Sequence, residues 1–217
     1  MSRVRTIGVL GAGRVGTAVA RQALRAGYEV LVATASDPSQ IALIVEVTAP
    51  GARAVTAAEA VGGSDVVVLS VPMRRYDTLD PALLAGRVVV DAMNYWPATD
   101  GRLPVMEGER STSEVVQDFL AGARLVKTLN HIGYHELETD HSPAGSPGRR
   151  ALAVAGDDDE ARSLVGEVVD RLGYDVVEAG PLAAGRVLEP GTEIFAGRHD
   201  GEALRALLAT VREPARS

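Results

Sequence analysis

A glycine-rich loop near the start of the chain carries the clearest chemical signal. Its residues, Gly11-Ala12-Gly13-Arg14-Val15-Gly16, follow a short apolar run and precede an amphipathic segment. In a strand–loop–helix unit, Gly11 permits the tight turn, Gly13 lets a pyrophosphate approach the backbone, and Gly16 lets the helix pack closely against the strand. The helix N-terminus adds unpaired N–H groups and a positive dipole end. The loop therefore predicts a dinucleotide site whose binding residues are Gly11, Gly13, Arg14, Val15 and Gly16.

The end of the second predicted strand bears on which dinucleotide binds. NAD sites place an acidic residue there to hold the ribose 2′-hydroxyl. This chain has Thr34 and Ser36, whose hydroxyls suit a 2′-phosphate, while Asp37 precedes a proline and is expected to cap a helix. We therefore predict NADP(H) rather than NAD(H). The basic residues available to hold the phosphate from outside this loop are Arg14, Arg74 and Arg75.

Three later strand ends are expected at the same edge of the sheet, where open parallel sheets bind their ligands. They are Ser70-Val71-Pro72, Ala92-Met93-Asn94 and Asn130-His131. Each is also ordinary strand-end chemistry, but their convergence predicts the nicotinamide half of the site. The predicted binding residues in these segments are Val71, Pro72, Arg75, Met93, Asn94 and Asn130.

A segment rich in histidine follows the last of these strand ends. His131, His135 and His141 lie beside acidic residues, which is a composition found at metal sites. However, Gly133 lowers the helix propensity that would place two of these rings on one face. We predict a solvated loop without a metal. His131 alone is close enough to the bound rings to act as a catalytic proton donor or as a hydrogen-bond partner of the reduced ring.

Alternating apolar runs and amphipathic segments predict an α/β fold, a Rossmann-type doubly wound parallel sheet with a small C-terminal α/β unit. We place a nucleotide-binding domain at residues 1–130 and the smaller unit, completing the second-cofactor site, at 131–217. The predicted strands are Thr6–Leu10, Glu29–Thr34, Ala54–Val55, Val66–Val71, Arg87–Asp91, Arg124–Leu129, Ala151–Ala155 and Asp175–Glu178. The predicted helices include Arg14–Ala26, Ala57–Val61, Asp80–Leu84, Ser111–Leu120 and Gly201–Val211.

The composition of the chain bears on which classes of binding partner are expected. The net charge of -7 argues against a nucleic-acid binder, and the absence of cysteine excludes thiolate chemistry. No apolar run approaches a membrane span, and no signal peptide is recognisable, so we expect no membrane partner and a cytoplasmic location.

Six sequence blocks, in order, resemble the NADP-dependent oxidoreductases that use the deazaflavin coenzyme F-420. The same domain type resembles the cytoplasmic reductase portion of the STEAP metalloreductases. The blocks are Gly11–Gly16, Ser70–Pro72, Val89–Asn94, Lys127–Asn130, Ala155–Asp158 and Ala179–Leu182. The resemblance implies direct hydride transfer between the two cofactors, which depends on positioning more than on acid–base groups. It also implies a homodimer.

The same resemblance implies residue roles. Thr34 and Ser36 would face the 2′-phosphate, Val71 and Pro72 the nicotinamide ribose, Met93 and Asn94 the ring, and 131–133 the second cofactor. The chain departs from the family after its second strand, where a basic pair is usual. It departs again after Pro72, where Met73-Arg74-Arg75 replaces a segment that is often aromatic or contains histidine.

We predict hydride transfer between NADP(H) and coenzyme F-420. Three alternatives stay open. The first is that the protein reduces FMN or FAD with NADPH, and the second is that it is a non-catalytic NADP(H)-binding redox sensor. The third is that it is a small-molecule dehydrogenase of the 6-phosphogluconate or pyrroline-carboxylate kind. The last fits least, because those proteins usually add a long helical C-terminal domain.

Overall fold

A computed structural model describes residues 4–212 and contains one mixed sheet of eight strands. Their order is β3-β2-β1-β4-β5-β6-β7-β8. The first six are mutually parallel, β7 runs antiparallel to β6, and β8 is parallel to β7. The strands are β1 Thr6–Leu10, β2 Glu29–Ala33, β3 Arg53–Ala54, β4 Val66–Leu69, β5 Val88–Asp91, β6 Arg124–Lys127, β7 Ala151–Gly156 and β8 Asp175–Gly180.

Helices flank both faces of this sheet, so the predicted Rossmann-type α/β fold is confirmed. They are α1 Arg14–Arg25, α2 Pro38–Thr48, α3 Ala57–Gly62, α4 Pro81–Leu84, α5 Pro97–Asp100, α6 Thr112–Phe119, α7 Glu136–Thr139, α8 Asp159–Arg171, α9 Glu193–Ala196 and α10 Gly201–Arg212. Turns of 3-10 helix cover Met73–Thr78, Pro104–Met106 and Leu182–Leu188. Among the helices of residues 4–212, none has the length and apolarity needed to cross a membrane.

Local sequence explains where several helices begin. Ser111 caps α6 in a reciprocal box with Glu114, so Ser111 rather than Ser113 opens this helix. Asp158 caps α8 by accepting the backbone N–H of Ala161. Such caps satisfy backbone groups that the first turn leaves unpaired.

The central strands are buried on both faces, which explains their continuous aliphatic sequences. Val9, Val68 and Val90 face one hydrophobic cluster, while Val67 and Val89 face the other. This two-sided burial is the rule for parallel strands covered by helices. The carboxyl ends of β1, β2, β4, β5 and β6 consequently share one edge.

Two strands end two residues earlier than predicted. The strand predicted over Arg124–Leu129 stops at Lys127, because Leu129 adopts a left-handed backbone with φ 61°. The strand predicted over Val66–Val71 stops at Leu69, and Ser70 begins the turn. Both shortened ends place polar residues at the sheet edge.

The two predicted units share the same sheet, since β7 pairs with β6 through Val126 opposite Gly156 and Lys127 opposite Ala155. The division at residue 130 therefore stays a prediction. Its outer ends, residues 1–3 and 213–217, lie outside the described residues.

Candidate functional site

A cleft of about 1260 Å³ lies along the carboxyl edge of the sheet. It brings together almost every residue that the sequence predicted, with Gly16 lying beneath its floor. The predicted residues in its lining are Gly11, Gly13, Arg14, Val15, Thr34, Ser36, Val71, Pro72, Arg75, Met93, Asn94, Asn130 and His131.

The glycine loop is held close to β4 at one end of this cleft. Gly11 has φ +124°, and a Cβ there would lie 2.6 Å from the carbonyl oxygen of Ser70. A Cβ at Gly16 would lie 1.9 Å from the carbonyl oxygen of Gly11. Ser70 fastens this arrangement, because its hydroxyl donates to the carbonyls of Leu10 and Gly11 at 3.2 and 3.1 Å.

The start of α1 fits a phosphate group. Its N-cap, Gly13, provides no side-chain cap, and no acidic residue lies in the first turn. The first N–H groups of the helix are thus left for a ligand, with the positive end of the helix dipole behind them. A Cβ at Gly13 would meet no protein atom within 4 Å, so the space in front of this residue is open.

The tip of β2 carries hydroxyls but no carboxylate directed at a ribose. Thr34 and Ser36 both line the cleft, and the Ser36 N–H donates to the Thr34 hydroxyl at 3.1 Å. Asp37 caps α2, as expected, by accepting from the N–H and hydroxyl of Ser39 at 2.9 and 2.6 Å. These hydrogen bonds hold the pKa of the exposed Asp37 carboxyl below its usual value.

Three arginines reach this part of the cleft. Arg74 donates to the carbonyl of Thr99 at 3.0 Å and lies 3.9 Å from the Asp100 carboxylate. The guanidinium of Arg75 has no ion pair within residues 4–212, and that of Arg14 lies 5.9 Å from the ring centre of Tyr134. Arg14 and Arg75 are therefore the cations with most freedom to meet a phosphate.

Asn94 and Asn130 join the ends of β5 and β6 at the other half of the cleft. Asn130 donates to Asn94 Oδ1 at 3.1 Å and to the carbonyl of Leu188 at 2.6 Å. In return, Asn94 donates to the Asn130 carbonyl at 2.7 Å. This mutual pairing fixes both amides in one orientation beside the strained Leu129 turn.

A fully buried ion pair lies directly behind these strand ends. The ammonium of Lys127, the only lysine of the chain, lies 3.2 Å from Asp91 Oδ2 and donates to the Met93 carbonyl at 2.6 Å. The other Asp91 oxygen accepts the Met93 N–H at 2.9 Å, and Ser113 donates to Asp91 at 2.7 Å. Both polar groups of the Met93 backbone are thereby held. A lone lysine within an apolar strand is a signal in the sequence for such a pair, but nothing in the local sequence indicates Asp91 as its partner.

His131 lines the cleft, and both of its ring nitrogens are engaged by the protein. Its catalytic role stays a prediction, which this geometry does not favour. The ring is 3% exposed, its Nε2 accepts the Ala153 N–H at 3.0 Å, and its Nδ1 lies 3.1 Å from Asn130 Oδ1. The first bond places the single proton on Nδ1, which the Asn130 oxygen then accepts. Burial, with a smaller contribution from the Arg150 and Lys127 charges, lowers the His131 pKa to about 3. The imidazole is neutral and has no free donor.

The acidic residues of the histidine-rich segment pair with arginines of other elements. Glu138 binds Arg21 of α1, Glu136 and Asp140 bind Arg150, and Asp140 also binds Arg198. These ion pairs fix α7 between α1 and the start of β7. Within residues 4–212, no group of three histidine or acidic side chains is arranged to hold a metal ion.

The C-terminal part of the chain contributes side chains to the cleft that the sequence analysis did not name. Phe195 and Arg198 line the cleft, and Phe195 meets Trp96 edge-on with ring centres 5.6 Å apart. Trp96 carried a signal as an aromatic residue after β5, while nothing in the local sequence of α9 indicated a site. Arg150 and Tyr134 complete this end of the cleft.

The fold and glycine loop define a dinucleotide-binding protein of the Rossmann class. Within that class, residues 6–95 match the family described as NADP oxidoreductase, coenzyme F-420-dependent. The resemblance recognised in the sequence is thereby confirmed, and the match supports an NADP-dependent oxidoreductase.

Several individual proteins are similar to this chain. Metalloreductase STEAP3 of Rattus norvegicus is 25% identical over 185 residues, which cover 84% of this chain and 35% of the relative. The matched region thus spans about a third of that protein. A hypothetical protein of Sinorhizobium meliloti is 28% identical with a TM-score of 0.76, covering 89% of this chain and 94% of that chain. A protein of Arthrobacter sp. FB24, described as an F-420-dependent NADP reductase, is 23% identical with a TM-score of 0.69, covering 84% and 87%. This last likeness concerns the fold alone.

Proposed function

We propose that the protein transfers a hydride between NADP(H) and the deazaflavin coenzyme F-420. The observation that carries this proposal is a single cleft with two different ends. One end has the open helix N-terminus and hydroxyls that fit a phosphorylated nucleotide, and the other has the aromatic and arginine side chains of Trp96, Phe195 and Arg150. Such a cleft can hold two planar cofactors against each other.

The chain's own residues would position the reactants rather than exchange protons with them. Gly13 and the α1 amides would hold the pyrophosphate, with Arg14 or Arg75 on the 2′-phosphate beside Thr34 and Ser36. Val71, Pro72, Met93 and Asn94 would surround the nicotinamide, which supplies or accepts the hydride when bound. Since His131 is neutral with both nitrogens occupied, the site fits a reaction that needs orientation and exclusion of water.

The first test is a spectrophotometric assay of the purified protein with NADPH, adding F-420, FMN or FAD separately and repeating each with NADH. We expect NADPH oxidation with F-420, matched by bleaching of the deazaflavin band. Oxidation with FMN or FAD alone would move the function to flavin reduction, a candidate favoured by the departure at Met73-Arg74-Arg75. If NADPH binds but none of the three acceptors is reduced, the result would favour a redox sensor.

The preference for NADP(H) has its own test in Ser36→Asp. A carboxylate at the β2 tip would repel the 2′-phosphate, so the Kd for NADPH should rise at least about tenfold while that for NADH does not. Arg205→Met on the exposed face of α10 is the matched surface control. Equal losses for both nucleotides would contradict the placement of the 2′-phosphate at this strand tip.

A further inference from the structure

Two adjacent arginines before β7 are equally buried but differently bonded. The side chains of Arg149 and Arg150 are 3% and 4% exposed. Arg149 uses all three nitrogens, because Nε donates to the Ser142 carbonyl, Nη1 to two carboxylates and Nη2 to the Asp170 carbonyl. All nitrogens of its guanidinium therefore donate to acceptors of the protein, and Arg149 does not line the cleft.

Arg150 binds the protein through one nitrogen only. Its Nη1 donates to Glu136 Oε2 at 2.6 Å and to Asp140 Oδ2 at 2.8 Å. Throughout residues 4–212, no hydrogen-bond acceptor of the protein meets its Nε or Nη2. Neither nitrogen is fully buried, since the described polar atoms that are buried without a partner belong to other residues. Because Arg150 lines the cleft, its two remaining donors are available to a ligand there.

The surrounding charges nearly cancel. Glu136 and Asp140 face Arg150, and Arg198 shares Asp140 at 3.2 Å. His131, which lies close by in the cleft lining, is neutral. A site of this kind gives no strong attraction to a fixed anion. It instead fits a group that is neutral when it binds and becomes negative during the reaction.

We propose that Arg150 donates hydrogen bonds to the carbonyl-bearing edge of the second substrate's ring and stabilises the negative charge that this ring gains on reduction. The inference rests on the proposed function. In the reducing direction, the C4–H bond of the nicotinamide breaks, and the hydride with both electrons forms a C–H bond on the acceptor ring. The acceptor is then an anion until it takes a proton from water. A guanidinium already oriented at its conjugated carbonyl lowers the free energy of that anion.

Equilibrium binding of oxidised and reduced F-420, measured separately, tests this role together with the rate of NADPH oxidation. Arg150→Met should raise the Kd of the reduced form by at least about tenfold more than that of the oxidised form, and slow turnover. The Kd for NADPH should change less than about twofold. Arg149→Met is the matched control, since it removes an equally buried, doubly paired arginine outside the cleft.

Arg150→Lys covers the case in which Arg150→Met does not fold. It keeps a cation for Glu136 and Asp140 but lacks the two donors, so it should fold and still bind F-420 at least about tenfold more weakly. Wild-type affinity in Arg150→Lys would overturn the proposal, as would equal effects of Arg150→Met and Arg149→Met. These outcomes differ from failure of the proposed function. In that case the wild-type protein itself would not oxidise NADPH, whether a deazaflavin or a flavin is offered as the acceptor.

Discussion

At the scale of single residues, the glycines of the loop differ in what surrounds them and therefore in what a side chain would disturb. A side chain at Gly16 would collide with the protein, whereas one at Gly13 would enter only the open cleft. Stability and nucleotide binding should therefore respond differently to alanine at these two positions.

We expect Gly16→Ala to lower the free energy of unfolding by about 1–3 kcal/mol, because the Gly11 carbonyl must move. Gly13→Ala should leave the melting temperature almost unchanged but weaken NADPH binding at least about tenfold. Thermal melts and isothermal titration would measure both effects. Gly62→Ala, in open space at the end of α3, is the control and should not weaken binding. Normal NADPH affinity in Gly13→Ala would place the pyrophosphate elsewhere.

The neutral His131 predicts a pH dependence of stability. Its pKa of about 3 in the folded protein lies below the usual value of 6.5, so the unfolded chain binds the additional proton between these two values. Stability should therefore fall as the pH drops through this window, by at most about 1.4 kcal/mol per pH unit. Above it, the group makes no pH-dependent contribution.

His131→Gln should remove this part of the acid sensitivity, because its amide replaces the ring acceptor without titrating. Urea unfolding between pH 4 and pH 7 would compare the two proteins, and His135→Gln, which removes an exposed imidazole, is the control. An unchanged slope in His131→Gln would mean that other groups cause the acid sensitivity.

At the scale of elements, the sequence predicted most strands because two-sided burial leaves continuous aliphatic runs. It did not predict that β7 runs antiparallel to β6, since strand direction depends on pairing across the sheet and leaves no local pattern. The residues of the candidate site likewise fall into a predicted group and a missed group. Residues after the carboxyl ends of the parallel strands were found. Arg150 was missed because it precedes β7, whose antiparallel direction brings its amino end to the same edge, and Phe195 was missed because it reaches the cleft from α9.

The Asp91–Lys127 pair connects β5 to β6 and should be required for both strand ends. Lys127→Met would leave the Asp91 carboxylate buried without its cation, at a cost of about 3–5 kcal/mol in the free energy of unfolding. The double variant Asp91→Asn/Lys127→Met should be more stable than Lys127→Met, because the isolated charge is gone. Urea unfolding of the set would check this. If both variants were equally unstable, the charge itself would not be the cause.

At the scale of the whole molecule, the two predicted units meet at several places, two of which bear on the cleft. They share the sheet below the cleft, and above it Trp96 of the first unit touches Phe195 of the second. Because Trp96 and Phe195 both line the cleft, this aromatic contact lies where a ligand would bind, apart from the strand pairing that joins the units. The strength of that contact can be compared with an internal reference, since Tyr76 and Phe119 form an edge-on pair at the same 5.6 Å within the first unit.

Double-mutant cycles to leucine on these two pairs should give similar coupling in the free energy of unfolding, about 0.5–1.5 kcal/mol each. Only the Trp96–Phe195 cycle should change the Kd of the second substrate, because neither Tyr76 nor Phe119 lines the cleft. NADPH binding, which we place at the other end, should be unaffected by both cycles. Urea unfolding and titration with F-420 would supply the two sets of values. Equal effects of both pairs on F-420 affinity would show that the loss arises from general destabilisation, and the aromatic wall would then have no part in binding.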